Sequence, residues 1–121
     1  MALLVALAGG TGAIARYLVD GWIQERADSV FPFGTFTINV TGSLLLGVLA
    51  GLVIAHGLDA DVKLVAGAGF LGGYTTFSTY AYETFRLAED GSRGIAMINA
   101  LGSIAAGLAA ATFGLLVTGG L

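Results

Sequence analysis

Four long apolar runs, separated by short polar breaks, dictate what this chain can become. They cover residues 2–23, 33–55, 63–87 and 95–118. Each is about 20–25 residues, the length at which a helix rising about 1.5 Å per residue crosses a hydrocarbon core of about 30 Å. None alternates with the period of two that marks a barrel strand. Composition agrees: 56% of the 121 residues are hydrophobic and 11% are charged, against roughly 25% charged in a soluble domain. A chain this short has little interior in which to hide such content from water, whereas lipid requires it. The expected fold is all-α and integral to the membrane, a single four-helix, multi-pass domain over residues 1–121. Its expected place is the cell (plasma) membrane, with the lipid bilayer as partner. The first run is too long for a signal-peptide core and ends in no clear cleavage site, so it reads as a helix of the mature protein.

Several function classes fall away. There are no cysteines, so disulfides, thiolate metal sites and cysteine nucleophiles are excluded. A single histidine, His56, leaves no histidine-based metal site or dyad within one chain. No nucleophile–base constellation is visible, so an enzyme is not expected. The net charge of −3 gives no basic surface for nucleic acid. Arg26, Arg86 and Arg93 fall on one side of the expected spans, and Lys63 with the amino terminus on the other. So small a bias gives weak direction under the positive-inside rule, which leaves insertion in both orientations open.

Glycine is abundant, with 20 residues lying mostly inside the spans. Gly42, Gly47 and Gly51 stripe the second, and Gly102 and Gly107 lie in the fourth. In lipid, small residues let helix backbones approach closely. So small a bundle, so rich in small residues, is expected to bury more surface by oligomerising. Residues 5–20, VALAGGTGAIARYLVD, imitate a strand, a Gly-rich phosphate turn and a helix. A dinucleotide fold would need further strands alternating with amphipathic helices, and the other runs are too long and too apolar for that. A glycine-rich helical crossing is expected instead.

Polar residues inside the spans narrow the possibilities. Arg16 lies deep in the first run; it either snorkels to the interface, helped by Asp20, or draws anions at a vestibule or interface. Asn39, within GTFTINVTGS, brings an amide with two donors and an acceptor that glues helices or offers its NH₂ to an anion. The third run holds GAGFLGGYTTFSTYAYE at residues 67–83. Gly72-Gly73 followed by Thr75-Thr76 is poor helix sequence, and predicts a break at membrane depth near residues 72–76. Such a break is tolerated only when buried or lining a wet cavity, and it aims carbonyls that coordinate cations. Phe77, Ser78, Thr79 and Tyr80 follow. Their hydroxyls are donors and their ring edges carry partial positive charge, a set that can replace water around a small anion or form an ordinary packed cluster. Asn99 and Ser103 share a face of the fourth helix, as a polar track or a helix contact. Glu83 is expected to pair with Arg86 or to face water.

The run GGYTTFSTY at residues 72–80 resembles the signature of the Fluc (CrcB) fluoride channels. Gly9-Gly10-Thr11-Gly12-Ala13 with Arg16-Tyr17 resembles that family's first-helix pattern. Phe33-Gly34-Thr35 with Asn39 and Gly42-Ser43 resembles its second-helix pattern. The similarity covers nearly the whole chain, in order. It implies a fluoride-selective passive channel exporting cytoplasmic fluoride, built as an antiparallel, dual-topology dimer with two pores and a broken third helix. The partner implied is a second copy, or an oppositely oriented paralogue. A structural sodium ion at the dimer centre would be held by backbone carbonyls of Gly72 and Thr75. The resemblance places the pore rings at Phe77 and Tyr80, the third-helix hydroxyl track at Ser78 and Thr79, and further anion contacts at Asn39, Asn99 and Ser103. It places the vestibule or interface charge at Arg16. Tyr80 departs from the usual phenylalanine, adding a hydroxyl that either donates to the ion or narrows its path. Gly107 leaves no hydroxyl one turn beyond Ser103. Fluoride is small and strongly hydrated, so a selective path must supply many close donors.

Two other classes compete. A small multidrug-type proton-coupled exporter would share length and helix number, but needs an acid within the first span, where none precedes Asp20. A non-transporting structural subunit would respond to changes at Phe77 or Asn39 only through packing.

Overall fold

Helix-forming sequence with glycine-lined faces assembles into a thin bundle. The computed structural model describes residues 1–119; among them there is no strand. In chain order the elements are α1 (Ala2–Arg26), α2 (Phe33–His56), α3 (Ala60–Lys63), a π-helix (Leu64–Leu71), α4 (Gly72–Tyr74), α5 (Phe77–Glu89) and α6 (Arg93–Gly119). Helices α1, α2 and α6 are each long and apolar enough to cross a membrane. The third apolar run is instead a broken helix, interrupted at Thr75 and Thr76.

Local chemistry fixes the ends. α1 runs through Arg26, past the polar residues expected to stop it, because contacts one turn apart support the extra turn. Gln24 Nε2 donates to Asp20 Oδ2 at 2.9 Å, Arg26 Nη1 donates to the Trp22 carbonyl at 3.0 Å, and the guanidinium lies 3.9 Å over the Trp22 ring. Pro32 stands just outside the first turn of α2, at the N-cap. Gly57 ends α2 in the left-handed region, φ 63°, where a side chain would be strained. Its N–H and that of Leu58 return to the Leu52 carbonyl.

The π-helix has no counterpart in the sequence reading. Its eight residues, LVAGAGFL, carry no periodic mark of the wider turn. At its end the Gly72 N–H is shared between the Gly67 and Gly69 carbonyls.

Packing follows the glycines. α2 lies along α6, α1 lies along the π-helix and α4, and α5 leans mainly on α6. A Cβ added at Gly47 would overlap the Ala111 backbone, and one at Gly114 would press on the Leu44 carbonyl. Thr118, beside Gly51, donates to the Val48 carbonyl at 3.0 Å across the same crossing. On the other side, Gly12 meets the Phe70 carbonyl and Gly73 meets the Gly9 carbonyl. The run GGTG is thus a helical crossing within α1. The buried centre is small, formed by Ile38, Leu71 and Tyr74 with Ala15, Val19 and Phe70 around it. Leu3, Leu18, Ile54 and Leu108 stay exposed, as a lipid-facing surface requires.

These contacts separate glycines that pack from those that do not. Gly12→Ala drives a Cβ into the Phe70 backbone and is expected to cost about 1–3 kcal/mol. Gly10→Ala meets nothing within 4 Å and is expected to be neutral or slightly stabilising. Thermal melting of the detergent-solubilised protein, read as loss of the monodisperse species, distinguishes them; equal melting would contradict the crossing.

Candidate functional site

The break is two extended residues between helices, and such backbone must find partners. Thr75 (φ −82°, ψ 159°) and Thr76 (φ −147°, ψ 120°) are extended. Asn39 supplies what the helix gives up. Its Nδ2 donates to the Thr76 carbonyl at 2.8 Å, and its Oδ1 accepts the Thr76 N–H at 2.9 Å. One primary amide satisfies both backbone groups of a buried residue, as a neighbouring strand would. Gly42, one turn on, lets α2 approach, since a Cβ there would overlap Thr75 Cγ2. Thr76 then caps α5, its Oγ1 accepting the Thr79 N–H at 3.2 Å and donating to Thr79 Oγ1 at 3.1 Å.

The carbonyls of Gly72, Gly73, Tyr74 and Thr75 all lose their usual helical donors as a result. In an unbroken helix the Thr76 N–H would serve Gly72 and the Thr79 N–H would serve Thr75. Here the first goes to Asn39 and the second to the Thr76 hydroxyl. Gly72 and Thr75, the positions to which the resemblance assigns sodium, are the first and last of these four under-donated carbonyls. Their neutral oxygen chemistry fits a hard monovalent cation.

Beside the break lies an open groove of about 390 Å³. It gathers Asn39, Phe77, Tyr80 and Ser103 with Gly72, Thr75 and Thr76, between apolar walls that include Leu46 and Ile104. Phe77 is 76% exposed. Its ring and that of Tyr80 are 5.7 Å apart and tilted by 57°, so ring edges are available. Ser78 and Thr79 are exposed on the first turn of α5 but do not line the groove. Arg16 is half-buried on α1, which contributes nothing to the groove, and it makes no ion pair among the described residues.

Three expectations meet different geometry. The Tyr80 hydroxyl donates to the Ala100 carbonyl of α6 and so is turned away from the groove. Asn99 is buried outside the groove lining, its Nδ2 donating to Thr84 Oγ1 at 2.7 Å and its Oδ1 accepting from Ser103 Oγ at 3.1 Å. Glu83 does not pair with Arg86, which instead donates to the Tyr82 hydroxyl and lies 3.9 Å from Asp90. Glu83 turns inward, where its Oε1, like Asp20 Oδ1, is shielded from water without a partner.

Sequence reasoning did not single out Thr84, Tyr74 or the capping role of Thr76. Tyr74 is buried with its hydroxyl 2.9 Å from Thr41 Oγ1. A threonine directly before a helix that opens on an apolar residue is a cap signal, which Thr76 before Phe77 carries; Thr84 carries no such mark.

Replacing Asn39 by leucine strands the Thr76 N–H, at about 1–3 kcal/mol for one buried group, and leaves its carbonyl with the first intrahelical bond of α5 alone. Ser43→Ala, on the same helix and with no side-chain bond given up among the described residues, is expected to melt as wild type. Melting in detergent tests the pair, and an Asn39→Leu protein as stable as Ser43→Ala would contradict the brace.

A family profile described as "CrcB-like protein, Camphor Resistance (CrcB)" matches residues 3–115. The protein described as fluoride-specific ion channel FluC 1 of Leifsonia xyli subsp. xyli is 46% identical over 117 residues, covering 97% of this chain and 85% of its own length. FluC 1 of Symbiobacterium thermophilum is 48% identical over 115 residues, covering 93% of each. FluC 2 of Mycobacterium tuberculosis is 49% identical over 110 residues, covering 91% of this chain and 84% of its own. With its membrane-length helices and a match over almost its whole length, the chain is a multi-pass membrane protein that belongs to the CrcB family.

Proposed function

We propose that this protein is a fluoride-selective passive channel of the plasma membrane that lets cytoplasmic fluoride out. The carrying observation is the groove beside the Asn39-braced break, where an amide, a serine and two ring edges converge within apolar walls. A small, strongly hydrated anion leaves water only for close donors. Ring edges add positive potential without a basic side chain that would trap the ion. Among the described residues, no carboxylate, lysine or histidine lines the groove. That favours passive conduction over proton-coupled export. The name carried by the relatives points to the same ion.

The working unit in this proposal is an antiparallel pair of subunits, with two pathways along their contact. The groove is open on one side and Phe77 protrudes from it, so a second copy would enclose the path. The carbonyls of Gly72 and Thr75 from each subunit would hold a structural sodium ion, which would supply a fixed positive charge between the pathways. Asn39 and the Thr76 hydroxyl take the N–H groups that would otherwise serve those carbonyls.

Purified protein in liposomes loaded with potassium fluoride, with valinomycin carrying potassium, is expected to release fluoride to an electrode. Chloride-loaded vesicles should release nothing. Phe77→Ile is expected to slow release about tenfold or more, a barrier change of roughly 1.4 kcal/mol, while still forming a dimer. Absence of efflux from a folded wild-type dimer would overturn the homodimeric channel. Efflux restored by adding an oppositely oriented paralogue would then mark a heterodimer, and none in either case would mark a structural subunit.

A further inference from the structure

The polar groups between α5 and α6 form a chain of hydrogen bonds that begins and ends on α6. Ser103 Oγ donates to Asn99 Oδ1 at 3.1 Å; Asn99 Nδ2 donates to Thr84 Oγ1 at 2.7 Å; Thr84 Oγ1 donates to the Tyr80 carbonyl at 2.8 Å; and the Tyr80 hydroxyl donates to the Ala100 carbonyl. Asn99 is 1% exposed, and neither it nor Thr84 lines the groove. α5 has little else to fix it. It starts at the break, so no continuous helix steadies its first turn, and Leu87 is its one buried apolar residue. In lipid the apolar contacts between two helices bring no hydrophobic drive, so hydrogen bonds weigh more in setting their register.

We propose that Tyr80, Thr84 and Asn99 are positioning residues, a latch that holds α5 and its Phe77 ring against α6, and that Asn99 acts through this latch and not by touching the ion. The inference rests on the fluoride-channel reading for its transport consequence. The latch also governs the one member that reaches the groove. Ser103 has a single hydroxyl hydrogen, which is parked on Asn99 Oδ1. Ser103 therefore presents lone pairs to the groove until it rotates away from Asn99, and Asn99 sets how readily it does so. At Tyr80 the hydroxyl is spent on Ala100, so only the ring meets the path.

Thr84 allows a test away from the groove. Thr84→Val removes the acceptor for Asn99, and Thr84→Ser keeps it. The readout is the fluoride efflux rate per active vesicle; a tie that merely stabilises the fold would lower the fraction of active vesicles and leave that rate unchanged. Thr84→Val is expected to slow the rate about tenfold and Thr84→Ser to stay within about twofold of wild type. Asn99→Leu should slow it as Thr84→Val does, with the double variant no slower than the worse single. A full rate in Thr84→Val, or losses that multiply in the double variant, would overturn the latch and return Asn99 to the ion. Melting of wild type, Thr84→Val, Asn99→Leu and the double variant separates this from failure of the channel reading. Losses that do not add support the latch even if wild type moves no fluoride, and independent losses overturn it whatever wild type transports.

Discussion

Two hydrogen bonds from one side chain hold the architecture open. A helix broken at membrane depth exposes backbone groups that lipid cannot serve, and each buried orphan would cost more than a typical bond returns. Asn39 meets both groups of Thr76 at once. That lets the third span stop, run extended for two residues and restart in a new direction. The cap on α5, the freed carbonyls of Gly72 and Thr75 and the placement of Phe77 at the groove all follow from that restart.

The brace works only because backbones come close. Gly42 brings α2 to the break, Gly12 and Gly73 seat α1 against the first half of the third span, and Gly47 and Gly114 seat α2 against α6. Dispersion and polar bonds across these crossings replace the hydrophobic drive that a soluble core would use. The bundle accordingly has few buried side chains and wide exposed apolar flanks. α5 is the exception among the longer helices, with no glycine in its sequence. It depends on side-chain hydrogen bonds to α6.

Much of this was legible in the residues. Long apolar runs forecast membrane helices because span length and composition are set by the bilayer. The Gly-Gly and Thr-Thr pairs marked the break because they are poor helix formers, although Gly72 and Gly73 themselves stay helical and only the threonines leave the helix. Asn39 stood out as an amide in an apolar helix, but its partner 37 residues away was invisible without the fold. The π-helix was missed because no side-chain period encodes it. Asn99 and Ser103 were rightly placed on one face, as their mutual bond requires. The direction in which that face looks depends on Thr84 and on how α5 returns from the break.

The π-helix has a consequence for how the span tolerates change in length. Its wider turn holds more residues over the same rise than an α-helix would. Losing a residue between Leu64 and Leu71 could be absorbed by tightening π turns into α turns, leaving Thr75 and Thr76 opposite Asn39. The stretch is a stored reserve of chain beside a position that must not move. A deletion beyond the break has no such reserve, because α5 is ordinary α-helix and every side chain after the cut would swing by about 100°, one residue's share of a turn.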